Sequence, residues 1–251
     1  MDNTDRGHSP AALAAAAAAA PVDRKLRAFM IGVYNRVAAG LLVSAGLAHL
    51  TSSTPMVRDL LFKTAADGQT FVSLTPLGAF TVLSPILVML AFGMRSGISA
   101  PRARLLYWSV VATIGASFGV LFLVYTTASI ATAFAASAAG FGALSLYGYS
   151  TKRDLNARQS FWITGLIGLI VVMGVNLVLR SAAISFVLNA AGVVVFAGLI
   201  AWDTQRLKDF YHQNQHDTAR MRASGDIGAL SLYLDFINLF QFLLALTGSR
   251  R

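Results

Sequence analysis

Apolar residues along the chain gather into seven long blocks separated by short polar and charged stretches. Each block approaches the ~20 residues that a helix rising ~1.5 Å per residue needs to cross ~30 Å of hydrocarbon. The pattern predicts spans at residues 29–49, 76–94, 105–127, 129–149, 161–180, 183–202 and 228–247, with a tight turn joining the third to the fourth around Thr126 to Ser129. Gly115 with Gly119, and Ala136 with Gly140, have the spacing that lets helices approach closely in lipid. Trp108, Trp162 and Trp202 fall near span ends, where interfacial aromatics are expected.

Residues 1–28 precede the first block as a polar, alanine-rich leader, in which Ser9-Pro10 can start a helix through the tract Ala11 to Ala20, outside the hydrocarbon core. A cleaved signal peptide fits poorly: alanine is a weak core for one, Asp2 and Asp5 offset Arg6, and a further hydrophobic helix follows. Residues 29–248 then form one transmembrane domain.

Composition excludes an ordinary soluble domain. Of 251 residues, 56% are hydrophobic and 12% charged, against roughly 25% charged in soluble chains. A net charge of +9 would suit nucleic acid, but the basic residues sit in clusters beside apolar segments, the arrangement that sets membrane topology. Cysteine is absent, so thiolate metal sites and cysteine nucleophiles are excluded, and nothing calls for a cofactor. With the N-terminus inside, inner segments carry fourteen Lys and Arg, among them Arg24, Lys25, Arg102, Lys152 and Arg206, against five on the outer segments: Arg58, Lys63, Arg180, Arg250 and Arg251. That asymmetry predicts a cytoplasmic N-terminus in a bacterial inner membrane. It also leaves the terminal arginine pair outside if the last segment crosses completely, which its unbroken apolar run favours over re-entry.

The last block, GALSLYLDFINLFQFLLAL, is apolar apart from Ser231, Asp235, Asn238 and Gln241. At ~100° per residue these four fall in an arc of roughly 120°, a single polar stripe that should face the bundle interior or a water-filled cavity. Such a helix belongs at the centre. Asp235 would lie about 10 Å deep from the cytoplasmic side, and Asp203 closes the preceding span, with the loop Thr204 to Ile227 returning the chain on the same side. Two carboxyls at one end of the bundle would titrate as a coupled pair if they meet, since two adjacent negative charges repel. They could also make a transient contact with a cation. The alternative is structural: Asp203 caps a helix and Asp235 makes one hydrogen bond. Arg95, ending the second span, could neutralise an aspartate, while Arg36 inside the first span is read as snorkelling to the interface. His212 and His216 have metal-compatible i, i+4 spacing but lie in a loop with no further motif.

Three stretches, FGALSLYGYSTKRDL (141–155), AWDTQRL (201–207) and GALSLYLDFINLF (228–240), resemble the Bax inhibitor-1 family, and the likeness covers about residues 28–248. The resemblance implies an all-α membrane protein, a seven-helix bundle with the last helix central. In function it implies a pH-sensitive calcium leak whose sensing aspartates fall on Asp203 and Asp235, with a latching arginine on Arg95 through AFGMR (91–95). Some relatives carry an acid midway along the second span, whereas TVLSPILVML (81–90) has none. The resemblance also implies a second reading, an interaction protein that modulates a membrane-bound ATP-dependent protease. Intramembrane aspartyl proteolysis is disfavoured, because Leu232-Tyr233-Leu234-Asp235 lacks the Gly-x-Gly-Asp that such enzymes carry.

Overall fold

The structure is a computed structural model that describes residues 10–68, 70–93 and 99–251, and within them all side chains except those of residues 10–23, 89, 91–93 and 219. The helices in chain order are α1 (Pro10–Ser53), α2 (Pro55–Leu61), α3 (Pro76–Gly93), α4 (Ala100–Ser117), α5 (Gly119–Val124), α6 (Thr127–Ser150), α7 (Gln159–Leu179), α8 (Ala182–Asn214) and α9 (Thr218–Thr247). One short hairpin that the apolar blocks did not predict, β1 (Phe62–Thr64) against β2 (Phe71–Leu74), is antiparallel and sits between α2 and α3.

All seven apolar blocks are helical. Among the described residues, six helical segments are long and apolar enough to cross a membrane. The second predicted span corresponds to α3, 18 residues with Pro85 inside, whose described apolar stretch Pro76–Val88 is shorter than a crossing needs. The third is broken at Phe118 into α4 and α5, and Tyr125 and Thr126 make the expected tight turn, with the Thr126 side chain accepting from the Ser129 amide to start α6. Pro10 begins α1 as its position suggests, but the alanine tract runs unbroken into the first span.

α9 holds the bundle together. It packs against α1, α4, α6 and α8, and Leu232, Tyr233, Phe236 and Leu244 are almost completely enclosed beside Val33, Val110 and Val111. It is a single 30-residue helix, so the last segment does not re-enter. Its end is tied to the α5–α6 corner, where the Thr126 amide donates to the Ser249 carbonyl at 3.1 Å and the Arg251 amide to Val124 at 3.0 Å. α7, in contrast, packs on α8 and leaves most of its apolar surface exposed, as a lipid-facing helix should.

Close approaches set this geometry. A Cβ on Gly115 would meet the Ser44 backbone at 2.7 Å, which brings α4 onto α1, and one on Gly119 would meet Thr51 and Phe62. The other predicted small pair is displaced: Ala136 faces outward, and Ala133, Ser137, Ser145 and Gly148 are the buried residues of α6. One turn before the end of α6, a Cβ on Gly148 would collide with the Ala201 carbonyl of α8. Gly148→Val should therefore lower the thermal unfolding midpoint in detergent by several degrees, on the scale of the ~1–3 kcal/mol that overpacking costs. Gly168→Ala, where a Cβ meets open space, should leave it unchanged or raise it.

Candidate functional site: two buried carboxyl clusters on either side of the last helix

The polar segment between the last two spans is not a loop. α8 continues eleven residues past Asp203 to Asn214, only residues 215–217 turn, and α9 starts at once with Asp217 accepting from the Arg220 amide. Helix continues because its inner face stays apolar: Leu207 and Tyr211 are buried in the hairpin. A side chain on Gly228 would strike Leu207, and one on Gly192 would strike the Phe242 ring. α8 and α9 are thus pressed together at two points, and Asp203 and Asp235 lie between them.

Both aspartates are 6% exposed, and they line the same cleft, close enough for their carboxyls to interact. Asp203 has a cation, Arg206, one turn further along α8, with Nη2 3.2 Å from Oδ1. The Arg206 guanidinium lies 4.8 Å from the centre of the Trp202 ring, which orients it. Among the described residues Asp235 forms no ion pair, and its Oδ2 is buried without a hydrogen-bond partner. A cleft of about 490 Å³ opens beside the pair, with Leu166 and Met173 of α7 on one wall and Arg206, Ser231, Asp235 and Asn238 on the others. Asp203 caps nothing, because it lies inside a continuous helix.

The residues around Asp203 fix it in place. Trp202 donates from Nε1 to Asn156 at 3.0 Å, and Gln205 donates to the Arg153 carbonyl at 2.9 Å while accepting from the Leu155 amide at 2.7 Å. Lys208 donates to the Tyr149 carbonyl at 2.9 Å. The AWDTQRL motif is thereby bonded to the α6–α7 connection, and Trp202, 5% exposed, is a buried anchor instead of an interfacial aromatic.

Other predictions from the stripe and its neighbours change. Ser231 and Asn238 line the cleft as expected, although Asn238 donates to its own helix at Leu234, 2.8 Å. Gln241, at the edge of the 120° arc, is exposed outside the cleft. Arg95 lies outside the described residues, and Arg206 is the arginine found beside the pair. It was legible one turn after Asp203, but it was counted only as a topology charge. His212 and His216 are exposed, with His216 beyond the end of α8 in the turn, so they share no helix face. Among the described residues no group of three or more metal-ligating side chains occurs.

A third buried carboxyl was missed. Asp226, 1% exposed, sits at the other side of α9 and pairs with Arg36 of α1 at 2.9 Å and with Arg104 of α4 at 3.7 Å. Arg36 is therefore an ion-pair partner, not a snorkelling residue. Beneath it, Tyr107 donates to the Arg36 carbonyl, its ring is edge-on to Tyr233, and the Tyr233 hydroxyl meets Ser44 at 2.7 Å. Asp226 lies nine residues before Asp235, half a turn round the helix at ~100° per residue, so α9 presents one carboxyl to α1 and α4 and the other to α8.

Residues 26–251 match the family model described as inhibitor of apoptosis-promoting Bax1. The chain belongs to the Bax inhibitor family. It is similar to an uncharacterized protein of Caulobacter vibrioides, 47% identical over the whole of both chains. It is also similar to the inner membrane protein YbhL of Escherichia coli, 38% identical over 90% of this chain and 93% of that one. The family model begins near the start of the first span, whereas the Caulobacter relative aligns with the leader as well. In this Bax inhibitor family protein two of the three stretches that resemble the family, 201–207 and 228–240, are the ones that meet around Asp203 and Asp235.

The Arg36–Asp226 pair should carry stability. Arg36→Met leaves a buried carboxylate with only the distant Arg104, and unfolding in detergent should become easier by about 2–3 kcal/mol. Adding Asp226→Asn should recover part of that loss in a double-mutant cycle; equal losses that simply add would mean that the pair is not coupled.

Proposed function

We propose that this protein is a passive, proton-gated cation leak of the bacterial inner membrane, with its N-terminus in the cytoplasm. The observation that carries the reading is the juxtaposition of Asp203 and Asp235, two buried carboxyls that line one cleft, with Arg206 paired to Asp203. A hydrogen bond between two carboxyls requires a proton on one of them. Loss of that proton leaves two neighbouring negative charges, whose repulsion works against the packing of α8 on α9. The gate is therefore a hydrogen-bonded pair that the proton concentration makes or breaks, and Arg206 biases the balance by neutralising Asp203.

The leak follows from the lining. With Asp203 Oδ1 paired to Arg206, the remaining oxygens of Asp203, Asp235, the Ser231 hydroxyl and the Asn238 amide number five, fewer than the six to eight that Ca²⁺ prefers. A passing ion keeps part of its water and is released, instead of being held as at a storage site. Calcium is the cation proposed, from the resemblance to the Bax inhibitor-1 family. The membrane is proposed from the apolar helices and from the E. coli relative described as an inner membrane protein. The orientation rests on fourteen basic residues on the proposed inner segments against five outside.

The test is ⁴⁵Ca²⁺ flux into proteoliposomes across pH. The native protein should conduct with a pH-dependent rate. Asp235→Asn and Asp203→Asn, in which an amide holds the hydrogen bond without a titrating proton, should each give a rate that no longer varies with pH. Arg206→Gln should conduct with its pH response displaced. No flux above empty vesicles at any pH would overturn the leak and favour a protein that acts by binding a membrane partner such as a protease.

A further inference from the structure

At the end of the bundle away from the α8–α9 turn, α7, α8 and α9 diverge and leave a groove of about 870 Å³. Its floor is apolar, with Ile170, Met173 and Leu177 of α7 facing Phe186 of α8 and Leu246 of α9. Its mouth is cationic, carrying Arg180 at the end of α7 and Arg250 just past α9. Neither arginine has an acidic partner among the described residues.

Both arginines are held in place by their backbones. Arg180 has φ 52° and ψ 33°, and it is the one residue other than glycine with positive φ among the described residues. The left-handed position that closes a helix normally goes to glycine or asparagine, so an arginine there is kept against the local preference. Asn176 builds the turn around it, accepting from the Ser181 amide at 3.0 Å and donating to Ser185 at 2.7 Å. Arg250 is fixed by its bridge to Tyr125, with its guanidinium 5.9 Å from that ring.

We infer that this groove is a binding site for an anionic phospholipid, with the phosphate on Arg180 and Arg250 and an acyl chain along α7. An arginine fork matches phosphate oxygens, and among the described residues no acidic side chain pairs with either arginine. The floor supplies what a free phosphate would not need, an apolar channel continuous with lipid. The groove also shares Ile170 and Met173 with the cleft of Asp203 and Asp235. The chain end of a seated lipid therefore reaches the wall of the carboxyl site, and two cations at the mouth keep this opening from serving as a cation exit.

The experiment is native mass spectrometry of the full-length protein in detergent, titrated with phosphatidylglycerol or with phosphatidylethanolamine of the same acyl chains. The native protein should retain phosphatidylglycerol preferentially. The double variant Arg180→Gly, Arg250→Gln should lose that retention by roughly tenfold, the scale of one or two charged hydrogen bonds, without a lower unfolding midpoint, because glycine accepts the left-handed turn. Gly174→Leu adds a side chain to a groove residue where a Cβ meets open space. It should weaken retention with all charges kept, while Lys63→Gln, on the β-hairpin at the same end, should leave it unchanged. Equal retention of the two lipids by the native protein, or no loss in the arginine variant, would overturn the site. So would a loss in the arginine variant with none in Gly174→Leu, because it would mean surface charge without a seated chain. None of these results depends on ion flux.

Discussion

A carboxyl group inside an apolar helix cannot face lipid, and α9 carries two of them on opposite faces. Asp226 points toward α1 and α4, where Arg36 neutralises it, and Asp235 points toward α8, where it meets Asp203. Leaving either in hydrocarbon without a partner costs several kcal/mol. A helix with such groups on both sides has to be surrounded, and this one is packed by α1, α4, α6 and α8. The bundle is arranged around the need to satisfy α9, and helices without buried charge, α7 above all, are free to stay at the periphery.

The two carboxyl sites differ in a way that suits different roles. Asp226 has two cations, and the surrounding tyrosines and serine link three helices into one network. Among the described residues Asp235 has no ion-pair partner and lies beside Asp203, which is itself paired with Arg206. The first arrangement ties three helices together through opposite charges. The second sets two like groups side by side, and it lies against a cleft walled by α7, which packs mainly on α8. A tied side and a side open to the cleft thus share the same helix.

Much of this could be read along the chain. The apolar blocks are helical because a long apolar run in lipid leaves the backbone no alternative to internal hydrogen bonding, although the second is, in its described part, shorter than a crossing needs. The convergence of Asp203 and Asp235 was anticipated from their positions at one end of adjacent spans. Errors arose where only the apolar core was counted. The stretch after Asp203 looked like a loop because its residues are mostly polar, yet Leu207 and Tyr211 at helical spacing were enough to carry α8 to Asn214. Gln241 looked like part of a stripe because angle alone ignores where the neighbouring helix ends. Arg36 looked like an isolated charge near an interface, although its partner lay in α9, 190 residues away.

The sequence by itself determined that this is an all-α membrane protein, that its last helix is central, and that two aspartates fall at one end of its last two spans. These are consequences of composition, periodicity and the cost of charge in hydrocarbon, and each acts within one segment. Only the tertiary structure decided which charges meet. Arg206 beside Asp203, Arg36 on Asp226 and Arg180 with Arg250 at one groove depend on how helices far apart in sequence approach. That approach is set by a few contacts without side chains, at Gly148, Gly192 and Gly228, whose partners no local pattern specifies.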